Sequence, residues 1–212
     1  NFYRPAQPDT LMALAVAYTN TMNREKALDA LSDWIRSSPK YVSDNSSRVM
    51  SHVSTGAASS AMKAAEVALE EKDEQSAFAH LINSFDRHGE VLNQYLAAAR
   101  ESAEIDPDVQ IGLGLLYTLT AEYSKAASCF GKVLTVRPRD AKIWNRLGAT
   151  YASMNRNAEA VEAYNQALQA NPSYTRARTN LGISLIALGK SSLAAKEFLS
   201  AIMLSWSKDD IY

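Results

Sequence analysis

Cysteine occurs once in the 212 residues, at position 129, and that alone excludes an internal disulfide framework. Its neighbours Ala127 and Phe130 make Cys129 a small buried hydrophobe rather than a reactive thiol. Glycine and proline are scarce, at 8 and 6 residues, and helix formers dominate, which favours an all-α fold. Neither sign of charge prevails. The formal net charge is −1, so no overall field draws in nucleic acid or an anionic membrane. No apolar run approaches the roughly 20 residues of a membrane span, and no basic-then-apolar leader precedes the first helix. The expectation is a soluble, cytoplasmic protein. Signs of catalysis are also missing. His52, His80 and His88 lack metal-ligand spacing, and neither a nucleophile–base pair nor a glycine-rich phosphate loop occurs. No catalytic residue, metal or cofactor is expected.

What the sequence does contain is a repeat. Leu113-Gly114, Leu147-Gly148 and Leu181-Gly182 recur every 34 residues. Ala126, Ala160 and Ala194 keep the same spacing, as do Phe130, Tyr164 and Phe198. Pro138 and Pro172 close two units, and Trp206 stands at that place in the third. One unit is complete: Trp144, Leu147, Gly148, Tyr151, Ala160, Tyr164, Ala167 and Pro172. This pattern resembles the tetratricopeptide repeat, a pair of antiparallel helices. The glycine and the small alanines let the two helices of a hairpin approach closely, and the rings fill the seams between hairpins. Proline cannot continue a helix and so marks the turn to the next unit. Asp106-Pro107 supplies an N-cap and a preorganised first helical residue, and Asp140 can cap the next unit in the same way.

The same spacing recurs at the N-terminus in Leu11, Leu14, Ala15, Tyr18, Ala27, Leu31, Trp34 and Pro39. Between Pro39 and Asp106 the register is lost. Residues 43–60 are rich in serine and have no apolar period, so a loop is expected there. Residues 61–87 read as helical, His88-Gly89 as a break, and Val91, Leu92, Tyr95, Leu96 and Ala99 as an amphipathic stripe. The expected organisation is a first hairpin over 1–39, a loop over 40–60 and a degenerate hinge repeat over 61–106. Three regular repeats follow over 107–206, with a tail over 207–212. Because a solenoid needs polar capping elements at its ends, the sequence is expected to be part of a longer chain.

In the tetratricopeptide family the first helix of each hairpin lines a concave groove. The resemblance therefore places Val16, Thr19 and Asn20 on that face in the first unit. It places Asn145, Arg146, Ala149 and Ser153 there in the complete unit, and Arg176, Asn180 and Ala187 in the last, with Ser184 nearby. Asn20, Asn145 and Asn180 offer donors and acceptors matching the amides of an extended peptide. Arg146 and Arg176 suit a carboxylate. Val16, Thr19 and Ala149 are small enough to leave room for one apolar side chain. Together they describe a site for a chain terminus. Taken singly, asparagine and arginine on an exposed helix need no such explanation.

A narrower resemblance lies in LMALAVAYTN (Leu11 to Asn20), IDPDVQIGLGLLY (Ile105 to Tyr117), WNRLGATYA (Trp144 to Ala152) and RARTNLGISLIALG (Arg176 to Gly189). These segments are similar to the peroxisomal import receptors for type 1 targeting signals. The resemblance implies a receptor that binds proteins ending in Ser-Lys-Leu or a close variant and carries them from the cytoplasm to the peroxisomal membrane. Docking proteins there would be met by regions beyond this sequence. It implies ligand contacts at Asn20, Asn145, Asn180 and Arg176, with Val16, Thr19, Arg146 and Ala149 around the carboxylate and terminal leucine. It also implies a hinge at the irregular repeat. The chain departs from the family at Arg146, where lysine is common, at Ala187, where an asparagine is usual, and at Thr21, where an acidic residue often stands. Two related readings have the same architecture: an adaptor for other C-terminal tails, such as those of membrane channels, and a chaperone adaptor that clamps an acidic tail. The second would need more cations than Arg146 and Arg176.

Overall fold

The computed structural model describes residues 7–42 and 72–209, and every regular element among them is an α-helix. In chain order these are α1 (Pro8–Asn20), α2 (Arg24–Ser37), α3 (Pro39–Val42) and α4 (Lys72–Glu101). Then come α5 (Pro107–Leu119), α6 (Tyr123–Val136), α7 (Ala141–Ser153), α8 (Asn157–Ala170), α9 (Thr175–Ala187) and α10 (Ser191–Asp209). The chain forms two compact units, residues 1–98 and 99–212. The loop expected over 43–60 and the start of the helix expected over 61–87 lie outside the described residues.

In the first unit, α1 and α2 form a hairpin whose seam is Leu11, Ala15, Ala27, Leu31 and Trp34, all buried. Asn23 caps α2 by accepting from the Lys26 N–H at 3.3 Å. The C-terminal half of α4 packs on α2. Tyr95 stacks on Trp34 with ring centroids 5.7 Å apart, and its hydroxyl donates to the Leu31 carbonyl at 3.1 Å. Two details differ from the sequence reading. Residues 40–42 belong to a helical turn rather than to the loop, and α4 runs unbroken through His88 and Gly89. A glycine inside a helix costs about 1 kcal/mol. Burial of the Tyr95 ring against Trp34 and Leu31 of the first hairpin is larger, and it holds the helix together.

The second unit is three stacked hairpins, α5–α6, α7–α8 and α9–α10. Asp106 starts α5, its carboxylate accepting from the N–H groups of Asp108 at 3.0 Å and Val109 at 3.3 Å. Asp140 does the same for α7 with Lys142 at 3.0 Å and Ile143 at 3.2 Å. The glycine rule follows from geometry. A Cβ on Gly114, Gly148 or Gly182 would fall 2.5 to 3.0 Å from the ring of Phe130, Tyr164 or Phe198. Each ring therefore lies flush against the backbone of the opposite helix. Ala160, Tyr164, Leu181, Leu185 and Ala194 form one buried cluster that joins the second hairpin to the third.

Every hairpin turn has the same form. Met22, Ala121, Asn155 and Gly189 adopt left-handed φ values of 56°, 58°, 58° and 73°. The next residue returns an N–H to the carbonyl five positions back, as in Asn23 to Tyr18, Glu122 to Tyr117, Arg156 to Tyr151 and Lys190 to Leu185. These bonds satisfy carbonyls that the helix end would otherwise leave open. Between hairpins the Trp144 indole donates to the Pro138 carbonyl at 2.8 Å. One repeat later Arg178 occupies the tryptophan position and donates to the Pro172 carbonyl at 2.9 Å, while its other nitrogen pairs with Glu197 at 2.8 Å. Helices α6 and α8 stop two residues before Pro138 and Pro172. Helix α10 has Trp206 there, with no proline to stop it, and continues to Asp209 past the expected boundary at 206. Cys129 is buried, and that burial pushes its thiol pKa up.

Candidate functional site

Helices α7 and α9 are the first helices of consecutive hairpins and touch one another. Asn145, one turn into α7, is 6% exposed. Asn180, in the second turn of α9, is half-buried and donates from Nδ2 to Oδ1 of Asn145 at 3.0 Å. The bond fixes the orientation of both carboxamides. Asn145 keeps its NH2 group as donor, and Asn180 keeps an acceptor oxygen and its second N–H.

Beside this pair stands Arg146. Burial lowers its pKa to about 10; Tyr174 raises it in opposition, Arg176 lowers it further, and Asp140 raises it. It stays cationic at neutral pH, but its charge is held largely out of water. Among the described residues neither Arg146 nor Arg176 pairs with a carboxylate, unlike Arg87, Arg137, Arg156 and Arg178. Around them Ala149 is half-buried, Arg176 and Ala187 are exposed, and Ser153 donates to the Ala149 carbonyl at 3.0 Å. Ser184 is 1% exposed and its Oγ has no hydrogen-bond partner, so this hydroxyl is enclosed rather than offered at the surface.

In the first unit the three expected residues lie on one stretch of α1. Val16 is half-buried, and Asn20 is exposed as the last residue of the helix. Thr19 is buried, and its hydroxyl donates to the Ala15 carbonyl at 2.7 Å, which leaves the oxygen able only to accept.

The sequence reading overlooked Tyr174. It occupies the repeat position that Asp106 and Asp140 fill as N-caps, yet makes no cap hydrogen bond to α9. Its side chain is half-buried and near enough to Arg146 to raise that residue's pKa. The signal was available as a break in the capping pattern. Among the described residues no group of three potential metal-binding side chains is gathered, and no helix is long and apolar enough to cross a membrane.

Three comparisons bear on this arrangement. Residues 141–174, which span α7 and α8, match the family model described as tetratricopeptide repeat. In backbone geometry the chain is similar to a crystal structure of MamA protein, with a TM-score of 0.55 at 14% identity over 96% of this chain and 94% of that one. It is similar likewise to MamA 41-end from Desulfovibrio magneticus RS-1, with a TM-score of 0.56 at 14% identity over 97% and 99%. The chain is thus an all-α tetratricopeptide repeat protein.

Its sequence relatives are more specific. It is 30% identical over 95% of its length to the peroxisomal targeting signal receptor of Saccharomyces cerevisiae, covering 35% of that protein. It is 43% identical over 54% of its length to the receptor of the same name from Eremothecium gossypii, covering 20% of it. The PEX5-related protein of Homo sapiens is 41% identical over 74% of this chain, with 22% of that protein covered. Within its class, the chain is similar to proteins named peroxisomal targeting signal receptor, and it spans about a third or less of the length of these relatives.

Proposed function

We propose that this chain is the cargo-reading part of a receptor for peroxisomal matrix proteins ending in Ser-Lys-Leu or a close variant. The observation that supports the reading most is the hydrogen bond that pairs Asn180 with Asn145, next to the half-buried Arg146, which makes no ion pair among the described residues. A peptide carboxylate would satisfy the guanidiniums of Arg146 and Arg176, and the free faces of the two carboxamides would take up backbone amides. Ala149 leaves room beside them for the terminal side chain. By the family resemblance alone, Val16, Thr19 and Asn20 of α1 are peptide contacts as well. The receptor would work in the cytoplasm and cycle to the peroxisomal membrane, as the names of its homologues suggest.

Three or four amide hydrogen bonds at about 1 kcal/mol each and one charge-assisted pair at about 2 give part of the attraction. Burial of a leucine side chain adds roughly 2 to 3 kcal/mol. The loss of translational and rotational freedom opposes these gains, so a bare tripeptide binds weakly and upstream residues must help. Fluorescence anisotropy tests the reading with a labelled peptide ending in Ser-Lys-Leu, its C-terminal amide and an acidic chaperone-type tail. The free acid should bind, amidation should weaken binding by at least about tenfold (roughly 1.4 kcal/mol), and the acidic tail should bind little. Equal binding of acid and amide removes the carboxylate from the mechanism.

A further inference from the structure

Upstream selectivity has a candidate of its own on α9. Arg176, Asn180, Ile183 and Ala187 follow one another at intervals of four, three and four residues, which places them in one stripe along the helix. The stripe changes character along its length, from a cation to a carboxamide to hydrocarbon. Ile183 is 57% exposed and Ile186, one turn on, is 54% exposed. The seam of the hairpin does not need them, because the buried positions of α9 are Ala177, Leu181, Gly182, Ser184 and Leu185. The preceding repeat has Ala149 and Ala152 at the equivalent places. A single exposed isoleucine is ordinary. Ile183 continues the stripe that carries Asn180, and Ile186 borders it one turn further on.

Seven residues separate Arg176 from Ile183, and a helix rises about 1.5 Å per residue, so the two lie roughly 10 Å apart along the axis. An extended peptide advances about 3.3 Å per residue, and roughly 10 Å is therefore three residues. With its carboxylate at the Arg146–Arg176 end, a peptide running along the stripe brings its fourth residue from the end to Ile183. We propose that Ile183, flanked by Ile186 and Ala187, is an apolar ledge for that fourth side chain, so that the receptor favours a hydrocarbon residue just upstream of the terminal tripeptide. This inference rests on the terminus-binding reading given above.

The test uses free-acid peptides that differ only in the fourth residue from the end, leucine or serine, before Ser-Lys-Leu, with the leucine peptide also as its amide. Wild-type protein should bind the leucine peptide about five- to tenfold more tightly than the serine peptide, as expected for partial burial of one aliphatic side chain. In Ile183→Ser that ratio should fall towards one, and in Ile183→Leu it should persist. Far-UV circular dichroism confirms that each variant is folded. A ratio near one in wild type, or one that Ile183→Ser leaves intact while acid is still preferred over amide, overturns the ledge alone. Loss of the preference for acid over amide in wild type overturns the terminus-binding reading, and the ledge with it.

Discussion

Gly148→Ala and Gly131→Ala are the same chemical change on two helices, and the structure gives them opposite signs. At Gly148 the new methyl would lie 2.6 Å from Cε1, 2.7 Å from Cδ1 and 3.0 Å from Cζ of Tyr164. Carbon atoms rest at roughly 3.5 to 4.0 Å, so the ring or the helix must yield by about 1 Å. Tyr164 cannot swing aside easily, since it is 2% exposed and enclosed by Ala160, Leu181, Leu185 and Phe198. Overpacking of this kind costs about 2 to 3 kcal/mol. Replacing a helical glycine by alanine returns about 1 kcal/mol, which leaves Gly148→Ala destabilised by roughly 1 to 2 kcal/mol. At Gly131, inside α6, nothing lies within 4 Å of the added methyl, and the full gain of about 1 kcal/mol should remain. Urea unfolding followed by far-UV circular dichroism separates the two if the slopes agree. In a Tyr164→Leu background the penalty at Gly148 should shrink, because the ring it meets is gone. Equal stability of Gly148→Ala and Gly131→Ala would refute the claim that ring-on-backbone contact sets the spacing of the two helices within each hairpin.

Ala121→Gly relieves a left-handed residue at a hairpin turn, and its melting curve should show stabilisation of about 1 kcal/mol. Tyr174→Asp should supply the N-cap that α9 lacks and add about 1 kcal/mol of stability. It should also weaken binding of the free-acid peptide in anisotropy, because a carboxylate then competes for Arg146; tighter binding would argue against the anion site. Asn180→Ala leaves Asn145 without its donor and the peptide without a partner, and it should weaken peptide binding by about 1 to 3 kcal/mol. Burial lowers the Arg146 pKa to about 10, still well above neutrality, so the cation is complete at neutral pH. Binding of a free-acid peptide with arginine in the penultimate place should be level from about pH 6 to 8 and decline above about 10. A decline centred near neutrality would assign the charge to another group.

The features legible in the sequence are those decided inside one 34-residue unit or between neighbours: the glycines and small alanines of the close helix approach, and the capping aspartates. Each is a packing rule that forces a residue type. That each ring lies on the glycine of its own hairpin was not legible. The turns were less legible, because Met22, Ala121 and Asn155 adopt the left-handed conformation and only Gly189 announces it. The break expected at His88-Gly89 failed for a different reason. Local propensity there is outweighed by the burial of Tyr95, whose partners Leu31 and Trp34 on α2 are about 60 positions away. At the candidate site, the residues Asn145 and Asn180 were legible but their mutual hydrogen bond was not. They occupy different register positions, 35 residues apart, and only the stacking offset of successive hairpins brings them face to face.

The exchange of Trp144 for Arg178 bears on how such repeats diversify. An indole and a guanidinium differ in charge and size, yet each hands an N–H to a proline carbonyl six residues earlier and so closes the joint between hairpins. A position recognised by its tryptophan is thus defined by a donor at a fixed reach, not by an aromatic ring. Evolution or a designer can recharge that joint without opening it, and Arg178 uses its spare nitrogen to tie down the second helix of its own hairpin through Glu197.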